Sequence, residues 1–323
     1  MKTSLIIGVC TRLRNVQLRR LLESLAIQPV PAGWAVQIIV VDNNDDPVAQ
    51  EALADVTLPH PISYHHEPRV GLVHARNRAL DLAQARGAGW FIGLDDDEWV
   101  SQDWLQHYLA ALGDDSGLQM RMGPCQLVYA ENASRFLIQK RPAQVPAGQR
   151  PKVMTTQNFA IHRSVFDTET GAGLRFHMAF NETGGEDLEF FRRGVYQHGF
   201  QAGWVPEALV FEDRKNARAT LKYRLFRTMR NQISTLRIND LHQRDGIHGS
   251  RQANATRLLV IIIRHTLRLL AGLIVGGLTV LIDRDKGMQR IGKALQSGAR
   301  VAAVLRFVCG MVPPAYGQSR KPT

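Results

Sequence analysis

The chain has 323 residues, 45% of them hydrophobic, and a net charge of +11. That length leaves room for one large domain with an appendage or for two ordinary domains, and the apolar content supports a real core. Its three cysteines, Cys10, Cys125 and Cys309, lie too far apart for a zinc motif or a disulfide framework, so a reducing compartment is expected.

The charge is divided unevenly. Residues 1–213 carry 19 basic and 25 acidic side chains, whereas residues 214–323 carry 21 basic and 4 acidic ones. An acidic body is followed by a strongly basic tail of the kind that seeks anionic membrane, nucleic acid or phosphates. Long apolar runs within that tail argue against a merely solubilising surface.

In chain order, Ser4 to Cys10 reads as a buried strand. The apolar start lacks a small-residue cleavage site and runs on as that strand, so it is not read as a signal peptide. Leu18, Leu21, Leu22 and Leu25 recur at helical spacing. Val36 to Val41 is a second strand and stops at Asp42-Asn43-Asn44-Asp45-Asp46. Pro47 opens a short helix to about Asp55, and Ile62 to His66 is a short strand ended by Pro68. Gly71 to Arg86 is helical, Trp90 to Leu94 is a strand, and Asp103 to Leu112 is the next helix. Strands alternating with helices indicate a mostly parallel sheet, with polar groups gathered beyond the strands' carboxyl ends, where open α/β sheets bind ligands.

From residue 118 the pattern changes. Gln119 to Tyr129 and Val153 to His162 read as longer strands joined by a loop from about Gln139 to Pro151. Glu186 to His198 is a helix, and Ala208 to Phe211 is a last strand. Ala217 to Leu236 is a basic helix, and residues 241–255 read as a linker. Leu258 to Ile282 is 25 apolar-rich residues interrupted by Arg264, His265 and Arg268, leaving 14 uninterrupted. A spanning helix needs about 20. Gln289 to Val312 is a second apolar and basic helix. Two such helices suit the interface plane, their arginines reaching headgroups; a hairpin through the membrane and soluble packing remain alternatives.

The chemistry is expected at Asp95, Asp96 and Asp97, four acids in a row with Glu98 at the end of an apolar strand. In an extended chain Asp95 and Asp97 point to one side. Hard oxygen ligands there suit Mg²⁺ or Mn²⁺ bridged to phosphate; the plain alternative is an acidic turn. Asp42 ends the second strand, where a carboxylate accepts from a base or ribose edge, although Asp-Asn-Asn is also good turn chemistry. Arg76 suits a diphosphate. Gly184-Gly185-Glu186-Asp187 is a tight loop opening a helix whose first amides favour ionised carboxylates. Asp187 is the expected proton acceptor, and Thr183-x-x-Glu186 matches a capping box. His74, His162 and His177 have no evident partners and are read as structural or surface residues. There is no phosphate-binding loop of the Gly-x-x-x-x-Gly-Lys-Ser/Thr type and no Gly-x-Gly-x-x-Gly after a strand, which speaks against an ATPase or dehydrogenase.

In order, Thr11-Arg12, Val41-Asp42-Asn43, Ala75-Arg76-Asn77, Asp95 to Asp97, Thr156-Gln157-Asn158 and Gly185-Glu186-Asp187 resemble the inverting glycosyltransferases of family 2, over roughly residues 3–235. The stretch Leu209 to Arg230, with Arg218, Arg224 and Arg227, is similar to the branch that builds bacterial exopolysaccharide or lipopolysaccharide. The resemblance implies the GT-A fold, a Rossmann-like, mostly parallel sheet with a mixed acceptor-side part, followed by membrane-associating helices. It implies a catalytic domain at 1–240, with a nucleotide-binding half at 1–117 and an acceptor half at 118–240, then the linker and a basic helical tail at 256–323.

It also implies roles. Thr11, Arg12 and Asp42 would hold the nucleotide of a nucleotide-diphosphate sugar, with Arg76, Asp96 and Asn158 beside the donor. Asp95 and Asp97 would place Mg²⁺ or Mn²⁺. Asp187, with Glu186 beside it, would take the proton of a saccharide or lipid-linked acceptor, and Arg224 or Arg227 would steady the departing phosphates. Where many relatives carry a metal-binding His, this chain offers Phe211-Glu212-Asp213, so Glu212 is the expected substitute ligand. The Gln-x-x-Arg-Trp run of processive relatives is missing, which favours one transfer per acceptor. The expected place is the cytoplasmic face of the cell membrane, peripheral or monotopic, with no nucleic-acid partner. Two rivals stand beside this reading: a haloacid-dehalogenase-type phosphatase with Asp95 as nucleophile, and a non-catalytic basic protein that binds membrane or nucleic acid.

Overall fold

The computed structural model describes residues 2–54, 56–114, 116–129, 134–137, 142, 144–214, 219–248 and 254–311. The chain divides into two compact units: Met1–Leu127 with Arg141–Asn181 and Glu186–Glu212, and Val128–Lys140 with Glu182–Gly185 and Asp213–Thr323.

The first unit is built on β1 (Thr3–Thr11), β2 (Trp34–Asp42), β3 (Ile62–His66) and β4 (Trp90–Asp95), all parallel in the order β3-β2-β1-β4. Alternate side chains feed two apolar layers. Leu5, Ile7 and Val9 of β1 pack with Leu18, Leu21, Leu22 and Leu25 of α1 (Asn15–Ala26). Ile6 faces the other way, toward Ala75, Ala79, Leu80 and Ala83 of α2 (Leu72–Ala85). Both faces are covered, so these strands read as unbroken apolar runs. The expected short helix after Pro47 is a 3-10 turn at Val48–Leu53, and the Asp55 expected to end it lies outside the described residues.

β5 (Glu98–Val100) follows the acid run, a strand the sequence pattern does not reveal, and α3 (Trp104–Leu112) comes next. The expected long strand Gln119–Tyr129 is two strands, β6 (Met120–Met122) and β7 (Cys125–Tyr129). Pro124 has no amide to give a ladder, and Gly123 donates instead to the carbonyl of Asn158 at 2.9 Å. The expected strand from Val153 is only β8 (Phe159–His162), because Asn158 takes a left-handed conformation with φ 58°. β8 runs antiparallel to β4 and β6. Sequence pattern also misses α4 (Arg163–Phe166) and β9 (Ala202–Trp204), which closes the seven-stranded sheet beside β6. α5 (Glu186–Tyr196) fulfils the expected helix. The last expected strand is β10 (Val210–Arg214), the centre of a small sheet ordered β5-β10-β7. The fold class expected from the sequence is thus present: a mostly parallel sheet with a mixed far side.

The second unit contains α6 (Leu221–Arg244), α7 (Ala255–Val280) and α8 (Arg284–Val308). Thr220, Asn254 and Asp283 cap the three helices, each side chain accepting from the amide three residues on. α6 runs past the expected end at Leu236 and into the expected linker, of which residues 249–253 lie outside the described set. The expected boundary at residue 241 therefore falls inside this unit. α7 and α8 pack closely through small residues: a Cβ on Gly272 or Gly276 would stand 2.8 Å from Ala294 or Ile291 of α8. Among the described residues α7 is the one helix long and apolar enough to cross a membrane, and Leu259, Ile263, Leu267, Leu270, Ile274 and Leu278 are exposed along it.

Candidate active site

Three strand ends are stitched together by asparagines. Asn43 donates to the carbonyls of Glu67 and Arg69 at 2.8 Å each and accepts from the amide of Gly71 at 2.8 Å. Asn44 accepts from the amide of Leu13 at 2.8 Å. Asp42 is fully buried and accepts four hydrogen bonds, from the Asn44 amide and side chain, the Ala49 amide and the Tyr64 hydroxyl, at 2.6–2.9 Å. A carboxylate has about four lone-pair sites, so all are filled. Expected to meet a base or ribose, Asp42 instead organises the turn that the Asp-Asn-Asn pattern allows.

The acid run is a turn rather than an extended strand, so alternation does not set its directions. β4 ends at Asp95, Asp96 and Asp97 form the turn, and Glu98 opens β5. Asp96 points inward: it accepts from Oγ1 of Thr11 at 2.8 Å and from Arg14 at 2.6 Å. Burial pushes its carboxyl up to about 6, against the pull of Arg14 and Thr11. Asp97 lies 3.0 Å from the same Arg14 guanidinium. Arg12 lends its amide to Asp96 at 3.4 Å, while its guanidinium lies 3.5 Å from Asp45. Thr11, Arg12, Asp96 and Asp97 are thus brought together. Arg14, which clamps the turn, is missed by sequence reasoning; its signal was a second cation two residues after Arg12.

Arg76 joins this turn to the start of α5. Its Nη2 donates to Asp95 at 3.1 Å and its Nη1 to Glu186 at 2.7 Å. The guanidinium is largely buried, yet the charges of Asp95, Glu186 and Asp187 outweigh that burial and raise its pKa. Burial raises the Asp95 carboxyl, Arg76 lowers it, and Asp97 raises it again. Cys10, beside Asp95 in strand register, is pushed up to about 12 by burial, so it is a neutral thiol and no nucleophile.

The loop before α5 depends on Gly184 and Gly185, at φ 71° and 101°, a region that side chains disfavour. Glu186 is the first helical residue, so Thr183 stands too early for the expected capping box; its hydroxyl accepts from Arg237 at 2.8 Å. Asp187 follows in the first helical turn, only partly buried, its Oδ1 accepting from the Leu188 amide at 2.7 Å.

Two expected site residues lie elsewhere. Asn158 has no exposed surface; it accepts from the Trp104 indole at 2.9 Å and donates to the carbonyls of Pro124 and Ala208 at 3.1 and 2.6 Å. It pins α3 to two loops. Glu212 is buried, accepts from Gln157 at 2.5 Å and lies opposite Glu98 in the β5–β10 ladder. Glu98 is itself buried, its carboxyl raised by burial and then by Asp95, and it accepts from the Asp95 amide at 3.0 Å. Glu212 therefore lies behind the turn, against Glu98. Arg224 and Arg227 lie on α6 of the second unit, and Arg218 is outside the described residues.

Among the described residues no group of three His, Cys, Asp or Glu side chains gathers as a metal cage. The turn nevertheless offers hard oxygens. Asp95, its side chain 32% exposed, has one oxygen on Arg76 and no hydrogen-bond partner for the other among the described residues. One or two carboxylates with diphosphate oxygens and water is how Mg²⁺-type ions are commonly held, so the residues present fit such an ion without a complete protein cage.

The family model for Glycosyl transferase family 2 matches residues 4–179. The succinoglycan biosynthesis protein ExoM of Rhizobium meliloti (strain 1021) is 32% identical over 256 residues, covering 76% of this chain and 77% of that protein. The mannosyltransferase PcManGT from Pyrobaculum calidifontis, in complex with GDP-Man and Mn²⁺, is similar with a TM-score of 0.59 at 15% identity, over 95% of this chain and 88% of that one. GalNAc-T7 with UDP, GalNAc and Mn²⁺ gives 0.50 at 16% identity, over 74% of this chain and 48% of that one. The chain belongs to glycosyltransferase family 2 and is a glycosyltransferase of the GT-A fold, which sets aside the phosphatase and the non-catalytic rivals.

Proposed function

We propose that this family 2 enzyme transfers one sugar, with inversion, from a nucleotide-diphosphate sugar to a saccharide or lipid-linked acceptor during exopolysaccharide assembly. The observation that carries the reading is the Arg76 bridge, which holds Asp95 and Glu186, the residue before Asp187, at one guanidinium. The similarity to ExoM supports the setting, and the Mn²⁺ in PcManGT and GalNAc-T7 supports a divalent ion, Mg²⁺ or Mn²⁺.

Asp95 and Asp97 would hold that ion, which neutralises charge on the departing diphosphate when bound. Thr11, Arg12 and Arg14 fix the turn that carries these acids. Asp187 accepts the proton of the acceptor hydroxyl as its oxygen bonds to the anomeric carbon and the carbon–oxygen bond to the diphosphate breaks. A single displacement inverts the anomeric centre, and the proton ends on Asp187. Glu186 is the positioning residue here, since its own carboxylate is taken by Arg76. The apolar helix α7 and the basic charge of its unit support peripheral or monotopic attachment to the cytoplasmic face of the membrane.

Asp187→Asn is expected to keep nucleotide-sugar binding while lowering kcat about 10²–10⁴-fold, the range for losing a general base. Asp97→Asn is expected to weaken metal and donor binding together. Transfer by Asp187→Asn at the native rate ends the base assignment.

A further inference from the structure

The helical unit has more cations than its acids can neutralise, and the surplus is localised. Of the four acids in residues 214–323, Asp240 pairs with Arg244 at 2.6 Å, Asp283 with Lys286 at 2.9 Å and Asp285 with Arg135 at 3.0 Å. Asp245, the fourth, is exposed just past the end of α6. Elsewhere in the unit, α6, α7 and α8 each contribute arginine to one cluster. Arg224 of α6 and Arg300 of α8 both lean on Gln296, toward its side-chain and backbone oxygens at 3.4 and 3.5 Å. Arg264 and Arg268 of α7 flank His265, and Arg264 stands 3.5 Å from its Nε2. All three of Arg224, Arg264 and Arg268 act electrostatically on Arg300, which is partly buried among them.

Among the described residues none of these four arginines has a carboxylate partner. His265 adds a second and independent sign. It is 5% exposed, and its Nδ1 is buried with no hydrogen-bond partner among the described residues. A buried polar atom without a partner is costly, and so is a crowd of like charges. Both costs fall if an anion with several acceptor oxygens enters the cluster. Planar guanidinium forks suit phosphate oxygens in particular.

The surroundings say which phosphate. Leu259, Ile263, Leu267, Leu270, Ile274 and Leu278 form an exposed apolar stripe along α7. Helical spacing puts Arg264 and Arg268 on one border of that stripe, between it and the buried face that carries Ile261 and His265. Apolar surface beside a cationic cluster is the pattern of an amphiphile's binding place. A membrane-crossing α7 would carry both arginines into hydrocarbon, whereas a helix lying in the interface holds them at headgroup level.

We propose that Arg224, Arg264, Arg268 and Arg300, with His265 between them, bind the terminal phosphate or diphosphate of a lipid whose chain lies along the apolar face of α7. This rests on the reading of the protein as an enzyme with a lipid-linked acceptor, and it reassigns Arg224 from the departing nucleotide to that lipid.

The test is flotation of the full chain with three kinds of vesicle: phosphatidylcholine alone, phosphatidylcholine with a long-chain polyprenyl diphosphate, and a charge-matched mixture with phosphatidylglycerol. The native chain is expected to prefer the diphosphate vesicles at least tenfold. R264Q/R268Q/R300Q is expected to lose that preference, and R268K to retain most of it should the triple variant fold poorly. Equal binding to the charge-matched vesicles, or an undiminished preference in the triple variant, overturns the proposal. Displacement by an equal concentration of soluble pyrophosphate assigns the cluster to a free anion and overturns the lipid. The melting shift on adding nucleoside diphosphates with Mn²⁺ is read on the same samples. It stands or falls with the donor site and not with the arginines, so the two readings fail separately.

Discussion

The acid turn of the first unit and the arginine cluster of the second treat charge in opposite ways. At the turn, Asp96 is buried against Thr11 and Arg14, and Arg76 answers both Asp95 and Glu186. In the helices, four arginines lie together with no acid among the described residues to answer them. A charge matched within the chain fixes geometry, because its hydrogen bonds hold two elements in register. A charge left over is one that a ligand can complete. The same distinction operates inside the catalytic unit. Glu186 is matched and positions, whereas Asp187 beside it makes no hydrogen bond to Arg76 among the described residues and is the proposed base.

The largest effect that tests this contrast is expected at Arg76. Arg76→Gln removes the cation that bridges Asp95 and Glu186. Breaking a buried ion pair costs about 3–5 kcal/mol, and the lower end applies because the Asp95 side chain is 32% exposed. Denaturant titration is expected to show that loss, with Arg76→Lys intermediate because one ammonium cannot reproduce the two-armed fork. An unchanged midpoint for Arg76→Gln would mean that the matched charges do not hold the turn to α5.

How much of this was legible follows from the range of the interactions. β1 to β4 and α1 to α3 were readable because strands covered on both faces and helices with one apolar face advertise themselves within a few residues. Arg76, Asp95, Glu186 and Asp187 could be singled out by motif order. The state of each polar group could not. Asp42 and Asn158 have the residue types of ligand-binding groups, but whether a lone pair is already filled depends on Tyr64, Ala49, Trp104 and Ala208, far away in sequence. β5 is three residues long and hidden in an acid run. Its pairing sets Glu98 against Glu212, a juxtaposition that no local pattern announces.

Asn158 provides the next test, because it separates a matched polar group from a ligand-binding one. Asn158→Ala removes the partners of the Trp104 indole and of two carbonyls, and it places alanine at φ 58°. An unpaired buried donor costs about 1–3 kcal/mol and a left-handed alanine roughly 1–2 kcal/mol more, so a total loss of about 2–5 kcal/mol is expected in urea titrations. Donor affinity of the folded protein is expected to stay within about twofold. A variant of normal stability with weakened donor binding would return Asn158 to the donor site.

The smallest effect concerns a matched acid with no catalytic duty. Asp167, buried after α4, accepts from Arg163 at 2.6 Å and from the amides of Glu169 and Thr170 at 2.9 and 3.1 Å. These bonds hold its carboxyl well below the usual carboxylate range, Arg163 first among them. A depressed native pKa means that the carboxylate stabilises the fold above the unfolded value, about 3.9, and that this contribution is lost as pH falls toward the native one. Asp167→Asn keeps an oxygen for the two amides but removes the charge and turns an NH2 group, which cannot accept, toward Arg163. Its melting temperature is expected to lie below the native one at pH 7 and pH 5, with the gap closing as pH falls below about 4. A gap that is constant down to pH 3 would show that Arg163 contributes a neutral hydrogen bond and no net charge pairing. The contrast between matched and surplus charge would then rest on Arg76 and Arg14 alone.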